Sequence, residues 1–116
     1  MSERNIKAFL YDIIDHMEKA EKFVKGMEFE EFVKHEITIF ATIRALEVIG
    51  EATKNIPDEI RVKYSDIPWR GMAGMRDKLI HFYFGIDYEL VWKVVKNDIP
   101  QTRPKIEKIL KELSNE

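Results

Sequence analysis

The strongest constraint on the fold is the spacing of the apolar residues, which recur in steps of three and four. From Ile6 to Val24 this spacing forms one stripe on a predicted helix that ends near Gly26. A second long helix is predicted from about Glu36 to Asn55. It is apolar almost all round, so we expect it to lie at the centre of the fold.

Further helices are predicted between prolines and glycines. Their expected ranges are a short turn around Phe29 and Phe32, a helix from Pro57 to about Tyr64, one from about Trp69 to Phe84, one from Asp87 to Pro100, and a last helix capped by Thr102. Asp87 is expected to be an N-cap. No stretch shows the two-residue period of a strand. We therefore predict an all-α, up-and-down bundle of four to five helices.

Length and composition favour a single folded domain, and we assign residues 1–116 to it. The chain has 116 residues, of which 45% are hydrophobic and 34% charged, a balance typical of globular proteins. The absence of cysteine excludes disulfides, thiolate metal sites and a cysteine nucleophile. No apolar stretch has the length of a signal peptide or membrane span, so we expect a cytoplasmic protein without a membrane partner.

The charge of the chain is unevenly distributed, although the net value is only −2. Residues 1–60 carry 8 basic and 13 acidic groups, and residues 79–116 carry six of each sign. Residues 61–78 carry five basic and two acidic groups. The basic residues of this island are Arg61, Lys63, Arg70, Arg76 and Lys78. The island is either a solvated surface or a site for phosphate.

The second long helix carries a polar strip at helical spacing. Its members are Arg44, Glu47, Glu51 and Lys54. This strip either faces solvent with simple ion pairs or lines a polar cleft. Gly50 lies inside the same helix, where glycine is unfavourable, so we expect close backbone packing against it.

The residues best suited to chemistry lie between Arg76 and Tyr83, within about two helical turns. On a continuous helix Asp77 lies within about 40° of His81, whereas Arg76 and His81 are about 140° apart. Arg76 and His81 can therefore converge through the reach of arginine, through a local bend, or through a second copy of the chain. Without further information, the pattern favours an ion-paired helix face, with the histidine packed against the core, over a catalytic site.

Imidazole and guanidinium together suit RNA cleavage without a metal. The imidazole of His81 can transfer a proton near neutral pH, and the guanidinium of Arg76 can hold a phosphate. The 2′-hydroxyl of the RNA would attack the adjacent phosphorus, so no nucleophilic side chain or cofactor is needed. The other histidines predict no metal site: Asp12 and His16 read as a surface pair, and His35 has no assigned role.

The segment around His81 resembles the HepT-like branch of the HEPN superfamily, whose motif is Arg, four to six residues, His, any residue and Tyr. Here these are Arg76, His81 and Tyr83. The likeness also covers Ile49-Gly50-Glu51-Ala52, Ile67-Pro68-Trp69-Arg70, Ala73-Gly74-Met75-Arg76-Asp77, Phe84-Gly85-Ile86-Asp87 and Val91-Trp92. It is close over residues 36–100. Asp77 departs from the pattern, because many HEPN ribonucleases have a neutral polar residue there.

The resemblance implies a HEPN-like homodimer with an RNA-cleaving cleft at its interface, to which both copies contribute Arg76 and His81. It implies a toxin of a toxin–antitoxin pair, whose antitoxin is a minimal nucleotidyltransferase that transfers AMP to the motif tyrosine, here Tyr83. Arg70 and Lys78 are the expected RNA-binding residues. From the geometry of the polar strip alone, and not from the resemblance, Glu47 and Glu51 are expected to border the cleft. Asp77 could orient His81 or weaken phosphate binding. RNA is the expected substrate, and no DNA partner is expected.

Two other functional hypotheses remain compatible with the residues. The chain could be a catalytically weak binding subunit that docks a nucleotidyltransferase. It could also be a purely structural helical dimer, which leaves the cluster of Arg76, Lys78, His81 and Tyr83 without an explanation. Loss of cleavage on substitution of Arg76 or His81 distinguishes the enzyme from both.

Overall fold

The computed structural model describes residues 2–81 and 85–115, and gives only the backbone of Ile80 and His81. The described chain is an all-α helical bundle with one two-residue antiparallel strand pair. Its elements are α1 (Glu3–Phe23), α2 (Phe29–Phe32), α3 (Glu36–Lys54), α4 (Asp58–Lys63), α5 (Trp69–Ala73), α6 (Met75–Leu79), β1 (Ile80–His81), β2 (Gly85–Ile86), α7 (Tyr88–Lys93), a π-helical segment (Val94–Asp98) and α8 (Ile99–Ser114). Among these elements no helix is both long and apolar enough to cross a membrane.

Helices α1, α3 and α8 enclose the core, as the apolar spacing predicts. The predicted stripe on α1 is buried at Ile6, Leu10, Ile13, Met17 and Ala20, and α8 contributes Ile106, Ile109 and Leu113. Helix α3 packs against α1 and contributes Ile39, Ile43, Leu46 and Ile49. Because α3 and α8 each bury their stripes against α1, burial of apolar surface is the main stabilising term.

Close packing of α3 against α5 explains Gly50 and confirms the expectation from the sequence. A Cβ atom added at Gly50 would lie 3.2 Å from the backbone oxygen of Met72 and 3.6 Å from that of Ala73. Both obstacles are backbone atoms, which a rotamer change cannot move aside. The glycine therefore fixes α5, and the chain that follows it, close to α3.

The predicted helix end at Pro100 is wrong. Helix α7, the π-helical segment and α8 follow one another without a break, with Pro100 near the start of α8. Proline lacks an amide hydrogen and crowds the carbonyl four residues earlier. The preceding π turn shifts the pairing by one residue, so that the amide of Ile99 donates to the carbonyl of Val94, and the helix continues. Thr102, expected as an N-cap, is instead buried within α8.

The predicted cap at Asp87 and the predicted helix start at Pro57 are confirmed. The side chain of Asp87 accepts a hydrogen bond from the amide of Leu90 at 3.1 Å, which makes it the N-cap of α7. Pro57 precedes α4, whose first turn carries Asp58 and Glu59. Asp87 and Pro57 thus mark the helix starts on the two sides of the basic island.

Candidate active site

The predicted helix from Trp69 to Phe84 is interrupted at Gly74 and is wrong at Ile80 and His81, and its last three positions, 82–84, lie outside the described residues. Gly74 caps the end of α5, α6 ends at Leu79, and the chain then enters β1. His81 pairs with Gly85, whose φ of 81° lies in the left-handed region that favours glycine. The backbone of β1 thus forms hydrogen bonds with β2 instead of continuing the hydrogen bonds of α6. One further contact joins the two segments, since the amide of Asp87 donates to the carbonyl of Leu79 at 2.9 Å.

The end of α6 changes the predicted geometry of the motif. The helical angles of about 140° between Arg76 and His81, and of about 40° between Asp77 and His81, no longer apply, because His81 is not in the helix. The sequence left three ways in which Arg76 and His81 could converge: the reach of arginine, a local bend, or a second copy of the chain. The structure has a local bend, because the backbone changes from helix to strand between the two residues. Tyr83 lies outside the described residues.

Arg76 is an exposed cation anchored at one point. Its side chain is 64% exposed, and its Nε lies 3.2 Å from Oε2 of Glu47 on α3. Glu47 is 24% exposed, so the pair lies at the edge of the α3–α6 contact. An ion pair at such an exposed site contributes at most about 1 kcal/mol to stability. Its main consequence is that Glu47 limits the orientations of the guanidinium while the rest of the group faces solvent.

The five basic residues of the island have different surroundings. Arg61 donates to the carbonyls of Ile56 and Thr53 at 3.1 and 2.8 Å, and thereby satisfies groups at the end of α3. Lys63 lies 5.5 Å from the centre of the Tyr64 ring. Arg70, Arg76 and Lys78 are exposed on α5 and α6. The cations available to a phosphate are therefore concentrated on these two helices.

The other residues expected at the site are only partly brought together. Asp77 is exposed on α6, next to Arg76 and Lys78 in the chain. Glu51 is exposed and accepts a hydrogen bond from Lys54 at 3.2 Å, as simple ion pairing on the α3 strip predicts. Glu47 thus contacts the motif arginine, whereas Glu51 contacts a neighbour on its own helix.

The exposed face of α3 contains two large apolar residues, although the apolar spacing predicts a central helix that is buried almost all round. Ile37 is 78% exposed and Phe40 is 58% exposed. Together with Arg44, Glu47 and Glu51 they follow one another in steps of three and four, so all five lie on one side of α3. We call these five residues the α3 face. It is continuous with the Arg76–Glu47 pair.

The other two histidines, His16 and His35, form their described polar contacts with residues close to them in the chain. Nδ1 of His16 lies 2.9 Å from the carbonyl of Asp12 and 3.7 Å from a carboxylate oxygen of Asp15. His35 is the N-cap of α3 and accepts a hydrogen bond from the amide of Thr38 at 3.3 Å. Within residues 2–81 and 85–115, no group of three or more histidine or acidic side chains could hold a metal ion.

Comparison with known proteins identifies the family. The model of the family described as "Ribonuclease HepT-like" matches residues 13–109. The chain belongs to the HepT-like ribonuclease family. The match includes α3, the motif on α6 and β1, and most of α8, so the all-α bundle described above is the scaffold of a HepT-like protein.

Relatives of the HepT-like chain match almost its whole length. A candidate RNase of Methanocaldococcus jannaschii is 53% identical over 113 residues, covering 97% of each chain. A second candidate RNase of this organism is 52% identical over 113 residues, covering 97% of this chain and 93% of the relative. A probable ribonuclease HepT of Thermococcus cleftensis is 50% identical over 109 residues, covering 94% of this chain and 99% of the relative. No solved structure gives a significant match.

Proposed function

We propose that this HepT-like chain is a metal-independent endoribonuclease whose catalytic residues are Arg76 and His81. Membership of the HepT-like family and the names of its relatives support a ribonuclease activity. The observation that carries the assignment of Arg76 is its position: an exposed guanidinium, anchored by Glu47, five residues before His81 and among the exposed cations of α5 and α6.

The proposed reaction uses the RNA's own 2′-hydroxyl as nucleophile. A bond forms between the 2′-oxygen and phosphorus, and the bond from phosphorus to the 5′-oxygen breaks. The 2′-hydroxyl loses a proton, the 5′-oxygen gains one, and the products carry a 2′,3′-cyclic phosphate and a 5′-hydroxyl. His81 transfers a proton, and Arg76 stabilises the charge that develops on the phosphate. Arg70 and Lys78 bind neighbouring phosphates.

We further propose that the active protein is a homodimer formed through the α3 face. Ile37 and Phe40 provide apolar area that is otherwise exposed to water. In a two-fold dimer the same face meets itself, and this face carries charges of both signs, Arg44 against Glu47 and Glu51. Because Glu47 contacts Arg76, such a dimer places the motif arginines of both copies beside the shared interface.

The toxin role is a further proposal and rests on the family resemblance. A minimal nucleotidyltransferase would act as antitoxin by transferring AMP to Tyr83, which follows His81 by two residues. A bulky, negatively charged nucleotide attached there would exclude RNA phosphates from the cleft by steric block and repulsion. The alternative function is a weakly catalytic subunit that docks the nucleotidyltransferase. It predicts that the unmodified protein does not cleave RNA.

The ribonuclease proposal is tested with purified protein, confirmed by mass to carry no AMP, in EDTA with labelled RNAs that include tRNA. We expect cleavage by the wild type that leaves cyclic phosphate ends, and none by His81→Ala, because imidazole proton transfer contributes about 10²- to 10⁴-fold. Dependence on an added divalent cation would contradict the metal-independent mechanism. Absence of cleavage by the unmodified wild type would favour the docking subunit.

Glu47→Ala is expected to lower the rate of RNA cleavage about tenfold, because the guanidinium of Arg76 loses the carboxylate that orients it. Glu51→Ala is the matched control: it removes the same charge from the same face, but Glu51 contacts Lys54 rather than Arg76. Single-turnover rates of the two variants provide the comparison. Equal rates for wild type and both variants would show that α3 does not border the site.

A further inference from the structure

Two neighbouring contacts join α3 to the chain around the end of α5 and the start of α6. Glu47 and Gly50 are three residues apart on α3, so they lie about one turn from each other on the same side of the helix. Gly50 faces the backbone at the end of α5, and Oε2 of Glu47 lies 3.2 Å from Nε of Arg76. The first contact is therefore between two backbones, whereas the second joins two side chains.

The spacing of the two contacts is the same on both segments. Ala73 is the last residue of α5, and Arg76 follows it by three residues, with the buried Met75 between them. The contact at Gly50 and the contact at Glu47 are likewise separated by three residues on α3. Because the connecting stretch is this short, the position of the α5 end on α3 determines where the side chain of Arg76 begins.

The side-chain contact is too weak to hold α6 in place by itself. Glu47 and Arg76 form an ion pair at an exposed site, and such pairs contribute little to stability. The backbone contact is closely packed instead. A Cβ atom at Gly50 would lie 3.2 Å from the backbone oxygen of Met72, so this oxygen would have to move by a few tenths of an ångström. Packing at Gly50 therefore sets the position of α6, and Glu47 then orients the guanidinium.

We propose that Gly50 is a positioning residue for RNA cleavage, a role that rests on the proposed ribonuclease function. Gly50 is buried, so it acts through other residues rather than on the RNA. Its lack of a side chain lets the end of α5 approach α3, which brings Arg76 within reach of Glu47 and sets the start of the chain that leads to His81. A misplacement of about 1 Å near the reacting atoms can cost about 10²-fold in rate, so a smaller shift should have a smaller, measurable effect.

Gly50→Ala is expected to lower the single-turnover rate of RNA cleavage about fivefold, because the added methyl group displaces Arg76 from its place beside Glu47. The affinity for RNA should stay within about twofold of wild type, since Arg70 and Lys78 are exposed and have long, flexible side chains. Affinity is measured with a short RNA that carries 2′-O-methyl groups and therefore cannot be cleaved. A fall in rate without a fall in affinity indicates misplaced catalytic groups rather than a lost binding surface.

Two variants control for the added methyl group and for lost stability, which urea unfolding measures for each protein. Gly71→Ala makes the same change on α5, but its Cβ atom would lie 3.7 Å from Nζ of Lys78, an ordinary contact with the end of a flexible side chain. Val24→Ala removes buried apolar atoms after the end of α1, where Val24 lines a cleft with Val95. Both should cleave at the wild-type rate. A Gly50→Ala protein that cleaves no more slowly than these two controls would overturn the proposal.

Combination with Glu47→Ala gives a readout that a purely structural role of Gly50 would not change. If Gly50 acts by placing Arg76 beside Glu47, the two substitutions disturb the same contact and their effects do not add. Glu47→Ala is therefore expected to lower the rate about tenfold in the wild-type background but only about twofold in the Gly50→Ala background. Independent losses, which together would lower the rate about 50-fold, would overturn the proposal.

The placement of Arg76 is also measured without RNA, by NMR of ¹⁵N-labelled protein. The Nε–H signal of Arg76, identified by its absence in Arg76→Lys, is recorded for wild type, Gly50→Ala and Glu47→Ala. We expect Gly50→Ala to move this signal toward its position in Glu47→Ala, because Nε lies 3.2 Å from Oε2 of Glu47 in the wild type. A signal that Gly50→Ala leaves unchanged would overturn the proposal. The NMR result does not depend on cleavage, so a failure of the ribonuclease proposal is distinguished from a failure of the role of Gly50.

Discussion

Arg76→Ala is expected to lower the single-turnover rate of RNA cleavage by about 10²- to 10³-fold, the usual effect of removing one group that stabilises a developing negative charge. The fold should be unaffected, because the side chain is 64% exposed and its contact with Glu47 is a weak ion pair. Arg76→Lys keeps the charge but loses the planar pair of donors, so we expect an intermediate rate. Rates are measured in EDTA with saturating labelled RNA.

Arg4→Ala is the matched control for this experiment. It makes the same chemical change at an exposed position of α1, away from α5 and α6, and should cleave at the wild-type rate. Circular dichroism of all variants establishes that the helical fold is retained. Cleavage by Arg76→Ala at the wild-type rate would remove Arg76 from the catalytic residues, and the motif would then need another explanation.

Much of the helical fold could be predicted from the sequence because buried stripes leave a regular trace. The spacing of Ile6, Leu10, Ile13 and Met17 is the pattern that a helix packed on one side must have, and all four residues are buried. The cap at Asp87 was equally local, since a single side chain and one amide three residues later determine it. Helix stripes and caps are predictable because they depend on residues only three or four positions apart in the chain.

The structure departs from the predicted elements where distant or competing contacts determine the backbone. Helical spacing extends past Leu79, yet pairing of Ile80 with Ile86 and of His81 with Gly85 ends α6 there. Pro100 has the sequence signature of a helix end, but the π turn before it accommodates the ring and the core side chains on both sides keep the helix continuous. Neither competing interaction is visible in local residue preferences.

The candidate site was predictable in its residue types but not in its arrangement. The cluster from Arg76 to His81 is visible in the sequence, whereas the contact between Arg76 and Glu47 joins residues 29 positions apart. The polar strip on α3 was also visible, but its continuation through Phe40 and Ile37 was hidden, because apolar residues are normally assigned to the core. Only the packing of α3 shows which of its apolar residues stay exposed in the part of the chain that the structure describes.

Phe40→Glu is expected to convert the proposed dimer to a monomer and to lower RNA cleavage at least about 100-fold. In the proposed interface the apolar ring is lost and a carboxylate must be desolvated, which costs more than pairing with Arg44, one turn further along the same face, would return. In the single chain Phe40 is 58% exposed, so the helical fold should tolerate the change. Sedimentation or light scattering gives the mass, and cleavage is measured on the same samples.

Val62→Glu separates the effect of the α3 face from the effect of any added surface charge. Val62 is 76% exposed on α4, outside the α3 face, and its replacement should leave both mass and cleavage unchanged. A Phe40→Glu protein that is still dimeric would place the interface elsewhere on the molecule. A monomeric Phe40→Glu protein with the wild-type rate would show that one chain contains a complete site, because Arg76 and His81 would then converge through the turn after Leu79 alone.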